Sequence, residues 1–125
     1  MGDAGVAFRG KRVEKPWGYE LIWAHTDRYV GKILHIEAGH ALSLQYHRRK
    51  DETLCLLTGE LELEIGDDEH ALQPITLQAG ESVHVWPGRR HRLTARTTCD
   101  VLEASTPELD DVVRLADRYG RSGGT

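Results

Sequence analysis

Residues 60–65 read Glu-Leu-Glu-Leu-Glu-Ile, an unbroken alternation of charge and hydrocarbon. That period of two is the side-chain repeat of a β-strand, and a helix would spread the same residues around its axis. Leu61, Leu63 and Ile65 therefore form a dry face and Glu60, Glu62 and Glu64 a wet one. A strand of this kind needs a sheet with one side closed against a core. Gly66-Asp67-Asp68 supplies turn chemistry and predicts a hairpin returning through 70–72. Further strand-like runs at 19–23, 29–36, 41–47, 52–58, 75–77, 82–86, 91–96 and 101–105 are punctuated by glycine, proline and charged turns. Residues 109–119 read as helical, with Leu109, Val112, Val113, Leu115 and Ala116 on one side and Gly120 as the stop. The expected fold is all-β, an antiparallel barrel or two-sheet sandwich with a short C-terminal helix.

At 125 residues the chain fits a single domain. Residues 1–12 are expected to form a flexible arm, 13–121 the domain and 122–125 a flexible tail. The net charge of −4 comes without a basic stripe, which argues against nucleic acid as a partner. Basic residues cluster only locally, in Arg48-Arg49-Lys50 and Arg89-Arg90. With no apolar leader and no stretch of transmembrane length, the expectation is a cytoplasmic protein without membrane contact. Cys55 and Cys99 stand in neither metal nor redox spacing, and the apolar run around Cys55 predicts a buried, reduced core thiol.

The chemistry-bearing residues gather around the fourth of these runs. Gln45 and His47 are two apart, so on a strand they share a face. Glu52 returns after a four-residue connection, and His91 follows the turn Trp86-Pro87-Gly88-Arg89-Arg90. Two imidazoles, a carboxylate and an amide oxygen suit one divalent cation, with positions left open for water or substrate. Gln45-Tyr46-His47 by itself is more often surface or a satisfied interior pair. A glycine framework, Gly39, Gly59, Gly80 and Gly88, sets it apart.

With that framework the chain resembles the cupin superfamily. Residues 39–59 match its first motif, except that Gln45 stands where a histidine is usual. Gly80, Gly88 and His91 match the second, in which Trp86 replaces a proline and Ala95 an asparagine. The Gln-x-His pair is similar to that of the mannose-6-phosphate isomerase branch. Lys15-Pro16-Trp17-Gly18-Tyr19-Glu20, the stretch 42–47, Pro87-Gly88 through Leu93, and 110–121 resemble the C-terminal cupin domain of type II mannose-6-phosphate isomerases, which a nucleotidyltransferase domain precedes in many members, and the expectation is a stand-alone version of that cupin.

The resemblance implies a cupin-type jelly-roll barrel holding one divalent ion, zinc first, with manganese, nickel or iron as alternatives, through Gln45, His47, Glu52 and His91. It also implies a cytoplasmic homodimer that isomerises a sugar phosphate, mannose 6-phosphate to fructose 6-phosphate. The alternatives are a non-catalytic cupin that binds a sugar or small ligand, and an iron-dependent dioxygenase-type cupin. His84 is the candidate general base, although alternation with Val83 and Val85 equally makes it an outer-face residue. Lys32, Arg49 and Arg92 are candidates for a substrate phosphate, and alternation sets Arg92 opposite His91.

Overall fold

A computed structural model describes residues 5–121. Its strands are β1 (Lys11–Lys15), β2 (Gly18–His25), β3 (Val30–Ile36), β4 (Leu44–Tyr46), β5 (Glu52–Thr58), β6 (Leu61–Gly66), β7 (Gln73–Leu77), β8 (Ser82–Val85), β9 (Arg90–Ala95), β10 (Cys99–Ser105) and β11 (Val113–Ala116). Six form one antiparallel sheet in the order β1-β2-β3-β10-β5-β8, and five form a second in the order β11-β4-β9-β6-β7. The two sheets face each other as a jelly-roll barrel.

The alternating run behaves as its pattern requires. Leu61, Leu63 and Ile65 of β6 are buried between the sheets. On the outer face Glu64 meets Arg92 directly across the strand pair at 2.9 Å, and Glu62 meets Arg96, just past the end of β9, at 2.6 Å.

Inside the barrel, the inward rows of four strands turn from hydrocarbon to ionisable groups toward the same end. The buried inward row of β3 runs Ile36, Leu34, Lys32, and that of β5 runs Leu56, Leu54, Glu52. On β9 it runs Ala95, Leu93, His91, and on β10 Cys99, Val101, Glu103. One half of the interior is hydrocarbon, joined by Trp17, Leu77 and Val85, while the other carries ionisable groups. Two glycines of the framework are fixed by geometry. Gly59 has φ of +94°, and a Cβ there would lie 2.5 Å from the Thr98 carbonyl oxygen. Gly88, at φ +87°, forms the left-handed turn that delivers His91 to β9.

Four expectations are corrected. Residues 109–119 hold no helix. Val113–Ala116 instead extend the second sheet by pairing with β4, since β4 offers a free edge and a β-branched pair suits it. A helix would also have buried Leu115, which stays 38% exposed. Cys55 is half-buried on the outer face because Leu54 and Leu56 take the inward positions, and Cys99 is the core thiol; both are free. The hairpin after β6 closes through a longer turn, with β7 starting at Gln73. Lys11 and Arg12, expected in the arm, open β1 by pairing with β2. Residues 1–4 of that arm and the tail 122–125 lie outside the described residues.

The segment after β10 straps the barrel. Tyr119 Oη lies 2.7 Å from His40 Nδ1, and Arg118 donates to the Gly39 carbonyl. No helix among the described residues is long and apolar enough to cross a membrane.

Candidate metal centre

Strand register brings the candidate ligands together. Gln45 of β4 pairs directly with His91 of β9, and Glu52 opens β5. His47 Nε2 lies 2.7 Å from Glu52 Oε2, and His91 Nε2 lies 3.6 Å from the same oxygen. All three residues are buried. Each imidazole is oriented from behind: His47 Nδ1 faces the Asp111 carbonyl at 2.5 Å and His91 Nδ1 the Arg89 carbonyl at 2.9 Å. A carbonyl only accepts, so each Nδ1 carries the proton, and each ring in its metal-binding, neutral form presents a lone pair at Nε2. Two lone pairs thus converge on a carboxylate oxygen that is buried and without a hydrogen-bond donor.

Acceptors facing one another at that range repel unless a cation lies among them. The donor set of two oriented Nε2 atoms and one carboxylate fits a divalent metal ion, with carbonyls behind the rings in the manner of metal-ligating histidines. Gln45 borders the same cavity, and its Nε2 donates to Ser43 Oγ at 3.1 Å. That bond leaves the amide oxygen as the group's remaining donor atom for a metal.

The loop between His47 and Glu52 is held by a single side chain. The Asp111 carboxylate accepts the backbone N–H groups of Arg48, Arg49 and Lys50 at 3.1, 2.7 and 2.9 Å. Burial pushes the Asp111 carboxyl up, but these three bonds hold it below its ordinary value. With its carbonyl on His47, Asp111 secures both the loop and the first imidazole.

Behind the ligands stands a wall of alternating charge. Lys50 Nζ lies 3.8 Å from Glu52 Oε1 and 2.9 Å from Glu103 Oε2, and Ser105 Oγ donates to Glu103 at 3.1 Å. Lys32, in register with Glu103, reaches Glu20 at 3.1 Å. Burial alone would raise the Glu52 carboxyl, yet the charge of Lys50 beside it, the largest opposing influence, keeps it well below the carboxylate range. Burial and the charge of Glu52 raise Glu103, against the pull of Lys50 and Lys32. Burial lowers Lys50, but the two carboxylates hold it above the ordinary lysine value. His91 is lowered, chiefly by burial.

These groups border a cavity of about 310 Å³ inside the barrel. Gln45, His47, Glu52, His91 and Lys32 all line it. His84, Arg49 and Arg92 do not. His84 is exposed and pairs with Asp51 at 2.7 Å, Arg92 pairs with Glu64 on the outer face, and Arg49 is an exposed loop residue. Sequence reasoning missed Glu103, Arg114 and Arg121, which also border the cavity. The alternation Val101-Glu103-Ser105 signalled Glu103, as a carboxylate standing in an otherwise inward-facing row. Arg114 pairs in register with Gln45, and its Nε is buried without a hydrogen-bond partner. Burial, then the charge of Arg121, lowers its pKa.

Comparison with known proteins agrees with this fold. The cupin domain profile matches residues 32–104. Over 117 residues the chain is 35% identical to the mannose-1-phosphate guanylyltransferase of Escherichia coli K12, covering 89% of this chain and 23% of that protein. It is 29% identical over 118 residues to the xanthan biosynthesis protein XanB of Xanthomonas campestris pv. campestris B100, covering 90% and 24%. The chain thus spans about a quarter of the length of these relatives. Among solved structures, KdgF from Halomonas sp. aligns with a TM-score of 0.68 at 19% identity, over 78% of this chain and 88% of that one. Oxalate decarboxylase from Bacillus subtilis aligns with a TM-score of 0.74 at 13% identity, over 85% and 30%. At these identities the two structures speak to the fold alone.

Proposed function

The chain belongs to the cupin domain family, and from that premise we propose that it is a metal-dependent sugar-phosphate isomerase interconverting mannose 6-phosphate and fructose 6-phosphate. The observation that carries the reading is the convergence of two Nε2 lone pairs on the unpartnered Glu52 oxygen, at the buried end of a cavity edged by cations. The relatives named as mannose-1-phosphate guanylyltransferases support a mannose phosphate as the ligand class.

Gln45, His47, Glu52 and His91 would hold one divalent ion, zinc or manganese by the chemistry of the set. Such an ion supplies Lewis-acid polarisation of a sugar carbonyl. The protein's own side chains do the rest. Lys11, Lys15, Arg114 and Arg121 border the cavity and suit a phosphate. Arg114 and Arg121 stand close enough for the charge of one to lower the pKa of the other, and an anion between them would relieve that repulsion. The apolar wall of Trp17, Leu34, Leu54 and Leu93 keeps water from the buried end of the cavity.

The test is formation of fructose 6-phosphate from mannose 6-phosphate by metal-loaded protein, followed through a coupled assay. Turnover that disappears on chelation and returns with the metal is the expected result. Binding without turnover by fully loaded protein would sink the isomerase and leave a sugar-phosphate-binding module, and iron in the purified protein would turn attention to oxygen chemistry.

A further inference from the structure

An aldose–ketose isomerase requires a base that is free of the metal and faces the reacting carbons. His47, Glu52 and His91 are committed to the ion, and His84 lies outside the cavity on Asp51. Glu20 is engaged at both carboxylate oxygens, Oε1 by Lys32 at 3.1 Å and Oε2 by Lys15 at 4.0 Å. Glu103 remains. It is a buried carboxylate on the cavity wall, separated from Glu52 by the single ammonium of Lys50. Its contacts with Lys50 and Ser105 both fall on Oε2, which leaves Oε1 for a proton on a substrate carbon.

We infer that Glu103 is the catalytic base that carries the proton between C1 and C2 of the sugar phosphate, an inference that rests on the isomerase reading above. In the forward direction the C2–H bond breaks and its proton passes to Glu103. The electron pair forms the C1–C2 double bond, and the former carbonyl oxygen O1 takes the negative charge. The O2 hydroxyl proton then passes to O1, a carbonyl forms at C2, and Glu103 returns its proton to C1. Atoms and electrons balance, and neither an oxidant nor a reductant is needed. Lys50 fixes the carboxylate, and the Ser105 hydroxyl holds Oε2 so that Oε1 is the atom that works.

A structural ion pair would share this geometry, so the test separates the two roles. The full chain is loaded with zinc or manganese and given mannose 6-phosphate deuterated at C2. Wild type is expected to show a primary isotope effect on kcat. Glu103→Gln is expected to keep full metal stoichiometry and sugar-phosphate binding, while kcat falls by about 10²–10⁴-fold. Glu103→Asp keeps the charge beside Lys50 but withdraws the oxygen, and serves if the glutamine variant does not fold. For it kcat falls at least about tenfold with KM unchanged. Either variant, folded and loaded, turning over within about twofold of wild type would overturn the inference. Loss of metal or ligand binding in step with turnover would overturn it too, making Glu103 a structural partner of Lys50. A loaded wild type that converts no substrate removes the isomerase reading and this inference together, an outcome distinct from an active Glu103→Gln.

Discussion

The two halves of the barrel interior are built by the same four strands and differ in almost everything else. Toward one end the inward rows of β3, β5, β9 and β10 are Ile, Leu, Ala, Cys and Val, and the space between the sheets is filled by hydrocarbon. Two residues further along each strand the same rows become Lys32, Glu52, His91 and Glu103, equally buried. Strand parity fixes which side chains point inward and is indifferent to their chemistry. The dry half gains from every inward residue through transfer out of water. In the wet half each charge must instead be met by a partner, because desolvation costs several kcal/mol per ion. One half of the barrel stabilises the fold, and the other is a charge-balanced cavity that the fold holds in place.

The largest effect should come from unbalancing the wet half. In metal-stripped protein, Lys50→Met leaves Glu52 and Glu103 buried with their shared ammonium gone. Urea denaturation is expected to show a loss of about 3–5 kcal/mol. A loss below about 1 kcal/mol would mean that water reaches these carboxylates and the contrast between the halves is shallow. In the dry half, Leu63→Ala should cost about 3 kcal/mol through lost transfer energy and a cavity. Its metal stoichiometry should stay unchanged, and a drop in metal content there would show that the halves are coupled.

Asp111 ties the strap to the wet half. Asp111→Ala is expected to cost about 1–3 kcal/mol and to weaken metal binding, because three loop N–H groups lose their acceptor. The folded carboxyl lies below its ordinary value, so its stabilisation is complete above the unfolded carboxylate pKa of about 4 and lost as pH falls through the lower folded one. The difference between wild type and variant should therefore close in acid, and a difference that grows there would reverse the assignment. The smallest effect is on the thiols. Cys55, half-buried on the outer face, should react with a thiol reagent in the native state. Cys99 should react only on unfolding, since burial encloses it and raises its pKa.

How much of this was legible in the sequence follows the same division. The dry face of β6 and the shared face of Gln45 and His47 are local period-two facts, and the structure keeps them. The Pro87-Gly88 turn likewise announced the strand that carries His91. The level at which the interior turns polar depends on register between distant strands, Glu103 against Lys32 for example, and no local window contains it. Arg114 was hidden for a related reason. Residues 109–119 satisfy a helical period, but the free edge of β4 decided the outcome, and that edge exists only in the folded sheet. Candidates chosen by charge and proximity in sequence fell outside the cavity, Arg92 because adjacency along a strand alternates faces and Arg49 because it lies in the exposed loop between β4 and β5.

The central claim is that the wet half closes around one divalent ion held by His47, Glu52 and His91. Calorimetric titration of chelator-stripped protein with zinc or manganese tests it most directly. Wild type should bind one equivalent, and His47→Ala and His91→Ala, still folded, should lose that stoichiometric binding. Retention of one tightly bound equivalent in both variants would contradict the account.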